Sequence, residues 1–371
     1  MPAAPLRRVT PLMNGTSSIT TDRIPPPLTV APDMASSWID LGEHFDDAAE
    51  RIINAHKADG DAFDQPVMNL ATWGVVPVEG KFALAPLGRQ HGPRVLRATA
   101  FSNLMARYGA PAEFIRDRLP APLQLAVTNW LTTAGDKASP AMLRLRGDEV
   151  AAVVSDRYAP LDQEPLLDCV RAALVERNAL DEVEVKSIAT GVTDVIRLVF
   201  PSEQVPVKVG DVSALGLDIS SSSFGRSAVH VRGLVLRLRC LNGLRVAEAT
   251  GNFSFRHVGD VQRLRASISE AIPSALAVAR GTLGKWKAAV NVMVHDVAAL
   301  ISEVQDLTAG ERRLVEERVQ IETGMPKLPE RAPLYDVLNG ITSAAHAFIP
   351  ARRLEVESVA GQLLSSRMRE P

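Results

Sequence analysis

The sequence predicts an α+β protein whose mainly antiparallel sheet is built from hairpins with one intervening helix, framed by N-terminal helices and a long C-terminal helical region. Three observations carry this prediction. In residues 141–260, apolar side chains recur at every second position, as in half-buried strands. In residues 261–371, they recur at helical spacing. Strands and helices also lack the regular alternation that a doubly wound parallel sheet requires.

The first 140 residues divide into two parts. Residues 1–35 contain seven prolines and little that could pack, so we predict a disordered, proline-rich arm. Residues 36–140 form a helical and mixed region. It begins with a helix in "DLGEHFDDAAERIINAHKADG", has short strands in "PVMNLATWGVVPVEGKFALAPLG", and continues with helices near 97–108 and 121–134.

The α+β core over 141–260 starts with a hairpin, because Arg144 and Arg146 alternate with leucines and "GDE" supplies turn chemistry. A helix over "QEPLLDCVRAALVERN" comes next. Two strands at 183–190 and 193–200 then predict a second hairpin. Further strands lie in "AVHVRGLVLRLRC" and "GLRVAEATGNFSFRHVG", which complete the predicted sheet.

The C-terminal region over 261–371 is helical throughout. Pro273 predicts a kink or a boundary within the first long helix. Thr308 and Glu311 have the spacing of a capping box, which predicts a helix over 309–323. Two more helices follow in "PLYDVLNGITSAAHAF" and "ARRLEVESVAGQLLSS".

One strand changes the parity of its apolar positions. In "VHVRGLVLRLR" they are odd-numbered before Gly233 and even-numbered after it. Because strand side chains alternate with a period of two, the change predicts a β-bulge at Gly233. Such a bulge would keep the apolar side chains on one face and place polar ones on the other: His230, Arg232, Arg237 and Arg239.

Charge is concentrated locally in a chain that is nearly neutral overall, with a formal net charge of −2. Residues 207–265 contain nine Lys or Arg against four acids, a local balance of +5. Arginine suits phosphate because its planar fork can donate two hydrogen bonds, and serine hydroxyls add further donors. The alternative is a solvated sheet face whose arginines pair with nearby carboxylates.

Most chemical classes lack sequence support. The chain has no C-x-x-C or H-E-x-x-H motif, so we predict no metal site, and it has no nucleotide-binding glycine fingerprint, so we predict no cofactor. It has no serine-nucleophile motif, and no catalytic residue is assigned. Cys169 and Cys240 are too few for a disulfide framework, which favours a reducing, cytoplasmic setting. No apolar run is long enough for a membrane span.

The segments "LRLRGDEVAAVVSDRYAPLD", "VLRLRCLNG" and "FSFRHVG" resemble a family of phage/plasmid-like proteins, domain-of-unknown-function family 932. The resemblance covers roughly residues 95–290, with "LYDVLNGITSAAH" also similar. Its most specific pieces are "SDRY" at 155–158, "CLNG" at 240–243, and His257 before Gly259. Where the family often has Asn-Ser and an acidic residue before a glycine, this chain has "SSSSFG". The resemblance implies a role in DNA transactions of mobile elements. The predicted hairpin–helix–hairpin core is similar in outline to that of single-strand annealing recombinases, which is an analogy of fold.

We therefore expect a nucleic-acid-binding protein of a phage, plasmid or integrated element, one that binds or anneals single-stranded DNA through a basic β surface. The residues expected to contact phosphate are Arg226, Arg232, Arg237, Arg239, Ser222, Ser223, Arg144 and Arg146. Candidates for base stacking are Tyr158, Phe224, Phe253 and Phe255.

Two alternatives stay open. The chain is a non-enzymatic structural or assembly protein of a mobile element, which forms a homo-oligomer through its helical tail, or it is an enzyme without a local signature. For an enzyme, the polar side chains of His257, Asp156 and Arg157 are the candidates.

Overall fold

The computed structural model describes residues 26–88, 92–134, 140–245, 251–304 and 307–368. The helices in these residues are α1 (Phe45–Ala58), α2 (Ala98–Arg107), α3 (Ala112–Arg118), α4 (Ala121–Ala134), α5 (Gln163–Glu176), α6 (Val261–Ala288), α7 (Val297–Glu303), α8 (Ala309–Thr323), α9 (Leu334–Ala345) and α10 (Pro350–Arg367). The strands are β1 (Ser37–His44), β2 (Ala62–Val67), β3 (Trp73–Val78), β4 (Lys81–Pro86), β5 (Arg94–Val95), β6 (Ala141–Arg146), β7 (Glu149–Ser155), β8 (Glu184–Thr190), β9 (Asp194–Lys208), β10 (Asp211–Ser221), β11 (Val229–Arg237), β12 (Asn242–Arg245), β13 (Asn252–Phe255), β14 (Met293–Val294) and β15 (Ala332–Pro333).

The main sheet is antiparallel and has the order β1-β8-β9-β10-β11-β12, with β13 also paired to β11. Strands β8 to β11 are consecutive antiparallel neighbours, and helix α5 stands between the hairpin β6–β7 and this sheet. The predicted α+β class, with hairpins and one intervening helix, is confirmed. The strand β1 was not predicted, because its segment was assigned to the beginning of α1.

The hairpin β6–β7 packs with the N-terminal part of the chain. Strand β6 pairs with β2, and β7 packs on α2 in a core that also contains the sheet β3-β4-β5. The proposed boundary between residues 140 and 141 therefore falls inside a sheet. Residues 28–33 also differ from the predicted disordered arm, since Leu28 is buried and its N–H donates to Gln124 Oε1 at 2.7 Å. The remainder of that arm, residues 1–25, lies outside the described residues.

The C-terminal helices begin where the sequence indicates. Asp260 accepts a hydrogen bond from the N–H of Arg263 at the start of α6, and Thr308 forms the predicted capping box with Glu311 at the start of α8. Helix α6 continues through Pro273, so the predicted boundary there is absent. None of the described helices is long and apolar enough to cross a bilayer.

The predicted bulge at Gly233 is wrong. Strand β11 pairs with β10 in unbroken register across Gly233, which lies opposite Leu217. The parity of the apolar positions changes because the second half of β11 is buried on both faces. Val235 packs into the C-terminal core, while Leu234 and Leu236 pack on the other side of the sheet. The change of parity marks where helices begin to cover that second side.

The main sheet thus has two distinct faces. We call the first the α6 face, because its apolar side chains pack against α1, α5 and α6. It includes Ile196, Leu198, Leu215, Leu217, Ile219, Val229 and Val231. We call the second the α10 face, because α10 lies over it and reaches the charged side chains of Arg197, Asp218 and Arg245.

Candidate functional site

The arginines of β11 do not share a surface, which corrects the sequence-based expectation. Arg232 lies half-buried on the α10 face, where its Nε donates to Asn252 Oδ1 at 2.6 Å. Arg237 lies on the opposite side and is buried. Its guanidinium nitrogens lie 2.7 Å from carboxylate oxygens of Asp211 and Glu322. Without a bulge the strand keeps its strict alternation, so residues 232 and 237 face opposite ways.

The other two predicted cations of this region are exposed. Arg226 lies in the loop before β11 and Arg239 lies beyond its end. The excess of cations in 207–265 is therefore only partly available, because distant carboxylates such as Glu322 neutralise part of it.

The arginines of the hairpin β6–β7 are buried as well. Arg144 pairs with Asp64 at 2.9 Å and with Asp162 at 2.8 Å, and it donates to the carbonyl of Ser223. Burial alone lowers the pKa of Arg144, but Asp162 and Asp64 more than offset it, so the pKa lies above its usual value. Arg146 lies 3.6 Å from Asp162, and burial lowers its pKa. Neither side chain is open to a large polyanion such as nucleic acid.

The two predicted serines are buried hydrogen-bonding residues. Ser222 Oγ donates to the carbonyl of Val192 at 2.6 Å and accepts from the backbone N–H of Phe224 and of Arg226. Ser223 Oγ accepts from Gln163 Nε2 at 2.7 Å. These hydroxyls hold the loop 222–228 in shape, so the predicted phosphate contacts from Ser222 and Ser223 do not fit the structure.

Three loops meet around Tyr158, and each carries a segment that the sequence analysis singled out. Tyr158 lies in the turn after β7, forms a bridge with Val258, and stacks on His257 with ring centroids 5.0 Å apart. Its hydroxyl donates to the carbonyl of Ser222 at 3.2 Å. Gly225, at φ +68°, lies so close to Val154 that a Cβ there would be 2.6 Å from it. The segments "SDRY", "SSSSFG" and "RHVG" therefore form one continuous structure.

Each of these loops exposes one arginine, and we call Arg157, Arg226 and Arg256 the loop arginines. In the part of the chain that the structure describes, none of the three forms an ion pair. The same loops contain two exposed acids, Asp156 and Asp260, and Asp260 accepts a hydrogen bond from the N-terminus of α6. The surface around Tyr158 thus carries three exposed guanidinium groups on a rigid, hydrogen-bonded support.

The predicted stacking residues are engaged within the protein. Phe224 is buried, Phe253 and Phe255 pack against the main core, and Tyr158 stacks on His257. These four rings are therefore held within the protein, and the structure does not support their predicted role in base stacking.

The residues considered for an enzyme do not form an evident reaction centre. His257 is buried, burial lowers its pKa, and its Nε2 lies 3.4 Å from Ser221 Oγ. Asp156 and Arg157 are exposed on the adjacent turn. Two cavities among the described residues lie elsewhere, one of about 330 Å³ beside Arg146 and one of about 460 Å³ under α10. Nor do the described residues contain a cluster of three or more His, Cys, Asp or Glu side chains that could hold a metal ion.

Sequence reasoning placed the phosphate contacts on β11, on the loop before it and on the hairpin β6–β7, and of the loop arginines it named only Arg226 as a contact. Arg256 and Arg245 were counted only as part of a basic stretch, and Arg352 lies more than 100 residues from β11. A usable signal was present, because the arginines of the loops lie within or beside the "SDRY", "SSSSFG" and "HVG" segments.

Comparison with known protein families gives a match over part of the chain. Residues 150–325 match the family model described as Domain of unknown function (DUF932), which runs from β7 through α8. The match includes all three loops around Tyr158 and starts and ends later than the resemblance inferred from the sequence. No curated protein and no solved structure matches the chain. The family match confirms the resemblance to domain-of-unknown-function family 932 over residues 150–325, a little under half of the chain.

Proposed function

We propose that this protein binds nucleic acid through its loop arginines, which contact the phosphate backbone. The observation that carries the proposal is the exposure of Arg157, Arg226 and Arg256 on three adjoining loops, in a molecule whose other central arginines are largely held by carboxylates. Exposed guanidinium groups donate two hydrogen bonds to a phosphate without first breaking an ion pair.

Backbone contacts of this kind give binding that is weakly dependent on sequence and strongly dependent on salt. The proposal includes single-stranded DNA as the first ligand, a role in a phage, plasmid or integrated element, and a reducing, cytoplasmic location. These points are supported by the resemblance described above and by the two cysteines, which form no disulfide.

The test is fluorescence anisotropy with a labelled oligonucleotide, single-stranded and duplex, over a series of salt concentrations. The variant replaces Arg157, Arg226 and Arg256 together by Gln. The matched control removes three exposed cations elsewhere, Arg118, Arg177 and Lys287. We expect the loop variant to lose about tenfold or more in affinity, with the slope of log K against log salt reduced by about one unit per lost contact.

Equal behaviour of the loop variant and the control would refute the assigned surface, and absence of binding by the native chain at low salt would refute the function. In the second case the assembly alternative becomes the leading one, and light scattering tests it through the oligomeric state.

A further inference from the structure

A positively charged cavity of about 460 Å³ lies between the α10 face and α10, away from the loop arginines. We call it the arginine cavity. Strands β11 and β12 contribute Arg232 and Arg245, and α10 contributes Arg352. The residues around it also include Ser358, Gln362 and one carboxylate, Glu355. Arg352 donates hydrogen bonds of 2.8 Å to both Glu311 and Glu355, so the excess positive charge of this wall comes from Arg232 and Arg245.

Arg245 is the central residue of this cavity. Its side chain is 3% exposed, and among the described residues its Nε and Nη2 find no hydrogen-bond partner. Asp218 lies 3.2 Å from Nε, but both oxygens of that carboxylate already accept hydrogen bonds from Arg197. Buried donors are nearly always satisfied in native proteins, so unsatisfied donors at a cavity indicate a missing acceptor.

The surrounding charges also favour an anion. Under α10, the described residues include three buried guanidinium groups, Arg197, Arg245 and Arg353, and two buried carboxylates, Asp218 and Glu357. This group therefore holds one more positive than negative charge. The pKa of Arg245 is lowered to about 10, chiefly by burial; Asp218 and Glu357 raise it, while the cations Arg232 and Arg197 lower it.

A neighbouring histidine responds to the same positive charge. Burial, followed by Arg232 and Arg245, lowers the pKa of His230 to about 4. An oxyanion in the cavity would supply acceptors for Arg245 and balance the excess charge.

We propose that the arginine cavity is a binding site for the oxyanion group of a small molecule, a phosphate or a carboxylate. The anion accepts hydrogen bonds from Arg245, and Arg232 supplies a second cation in the same wall. The planar guanidinium fork favours tetrahedral or planar oxyanions over chloride, because it can donate two parallel hydrogen bonds to them. This site is independent of the proposed binding of nucleic acid.

Isothermal titration calorimetry of the full chain with inorganic phosphate, sulfate, acetate and a nucleoside monophosphate, at matched ionic strength in chloride, tests the site. We expect saturable binding of about one anion per chain by at least one of them. If the nucleotide binds more strongly than phosphate, the natural ligand is a phosphorylated metabolite. If acetate binds more strongly than phosphate, the natural ligand is a carboxylate. No saturable binding of any of the four would overturn the proposal.

Substitutions make the test specific to this cavity. Arg245→Met should weaken binding about tenfold or more, since charged hydrogen bonds are lost. Because that variant could fail to fold, Glu355→Gln gives the complementary measurement: removing the only carboxylate of the wall should strengthen binding about two- to threefold. Glu317→Gln on α8 is the matched control, an exposed glutamate on another helix. If Glu355→Gln and Glu317→Gln bind the anion equally, the cavity is not the site.

Discussion

The two faces of the main sheet are stabilised in different ways, although the same strands form both. On the α6 face, Leu217 and its neighbours pack against apolar side chains of α6 such as Ile268 and Ile272. On the α10 face, the adjacent residue Asp218 is also fully buried but accepts two hydrogen bonds from Arg197, each of 2.8 Å. Neighbouring residues of β10 therefore lie in an apolar environment on one face of the sheet and in an ionic environment on the other.

The ion pairs of the α10 face join segments that are distant in sequence. Arg197 also donates to Glu357 of α10, and Arg353 donates to the same carboxylate one turn earlier on that helix. Trp38 of β1 lies over both guanidinium groups, 5.1 Å from Arg197 and 4.1 Å from Arg353. Apolar packing tolerates many arrangements, whereas these bonds require one position of α10 over the sheet. The difference suggests that the α6 face supplies most of the stability and the α10 face fixes the location of the C-terminal helix.

The largest expected loss of stability follows a substitution on the α10 face. Asp218→Asn keeps the shape of the side chain but removes the carboxylate shared by Arg197 and Arg245. Because Arg245 then loses its carboxylate and Arg197 keeps only that of Glu357, we expect a loss of about 3–5 kcal/mol in the free energy of unfolding. Urea denaturation followed by circular dichroism measures it. A loss below about 1 kcal/mol would mean that solvent or an anion compensates the cations in solution.

A substitution on the α6 face should lower the stability less, and by another mechanism. Leu217→Ala removes side-chain volume from a core with no polar partner, so we expect a loss of about 3 kcal/mol from transfer and cavity terms. The same denaturation experiment measures the loss. Adding phosphate should raise the stability of both variants, because an anion that binds only the folded chain stabilises it, but it should raise that of Asp218→Asn more, since Arg245 then lacks its carboxylate. Equal rescue of both variants would contradict the distinction between the faces.

Sequence reasoning succeeded where local patterns determine the structure. The hairpin over 141–155 follows from the alternation of apolar residues and the "GDE" turn, and Gly147 adopts the positive φ of +54° that such a turn needs. The capping box at Thr308 is a local signal too. Strand β1 was missed because its extended form depends on pairing with β8, about 150 residues further on.

The candidate site was harder to predict because it depends on long-range charge pairing. Arg237 meets Glu322 across 85 residues, and Arg197 meets Glu357 across 160. A local count of charges cannot reveal such partners, so the sequence presented buried and exposed arginines as one basic surface. The segments around Tyr158 were identified, but their convergence follows from the pairing of β11 with β13 and from the bridge to Val258.

The smallest expected loss of stability depends on pH and arises on the α10 face. Burial, assisted by nearby arginines, lowers the pKa of His230 and of His346 to about 4. Unfolding returns both to about 6.5, so the unfolded chain binds more protons between these values. Their contribution to stability is complete above pH 6.5 and is lost as the pH falls towards 4. Because both rings are partly open to solvent, we expect a total loss of about 1–2 kcal/mol.

The double variant His230→Gln and His346→Gln isolates this contribution. Glutamine can still accept the hydrogen bond that Arg353 donates to His346 at 3.0 Å, but it takes up no proton. Urea denaturation at pH 7 and at pH 4.5 should therefore give a smaller difference in the free energy of unfolding for this variant than for the native chain. His44→Gln, at an exposed position, is the control and should keep the native difference. An unchanged difference in the double variant would place the pH sensitivity elsewhere and remove the expected asymmetry between the two faces.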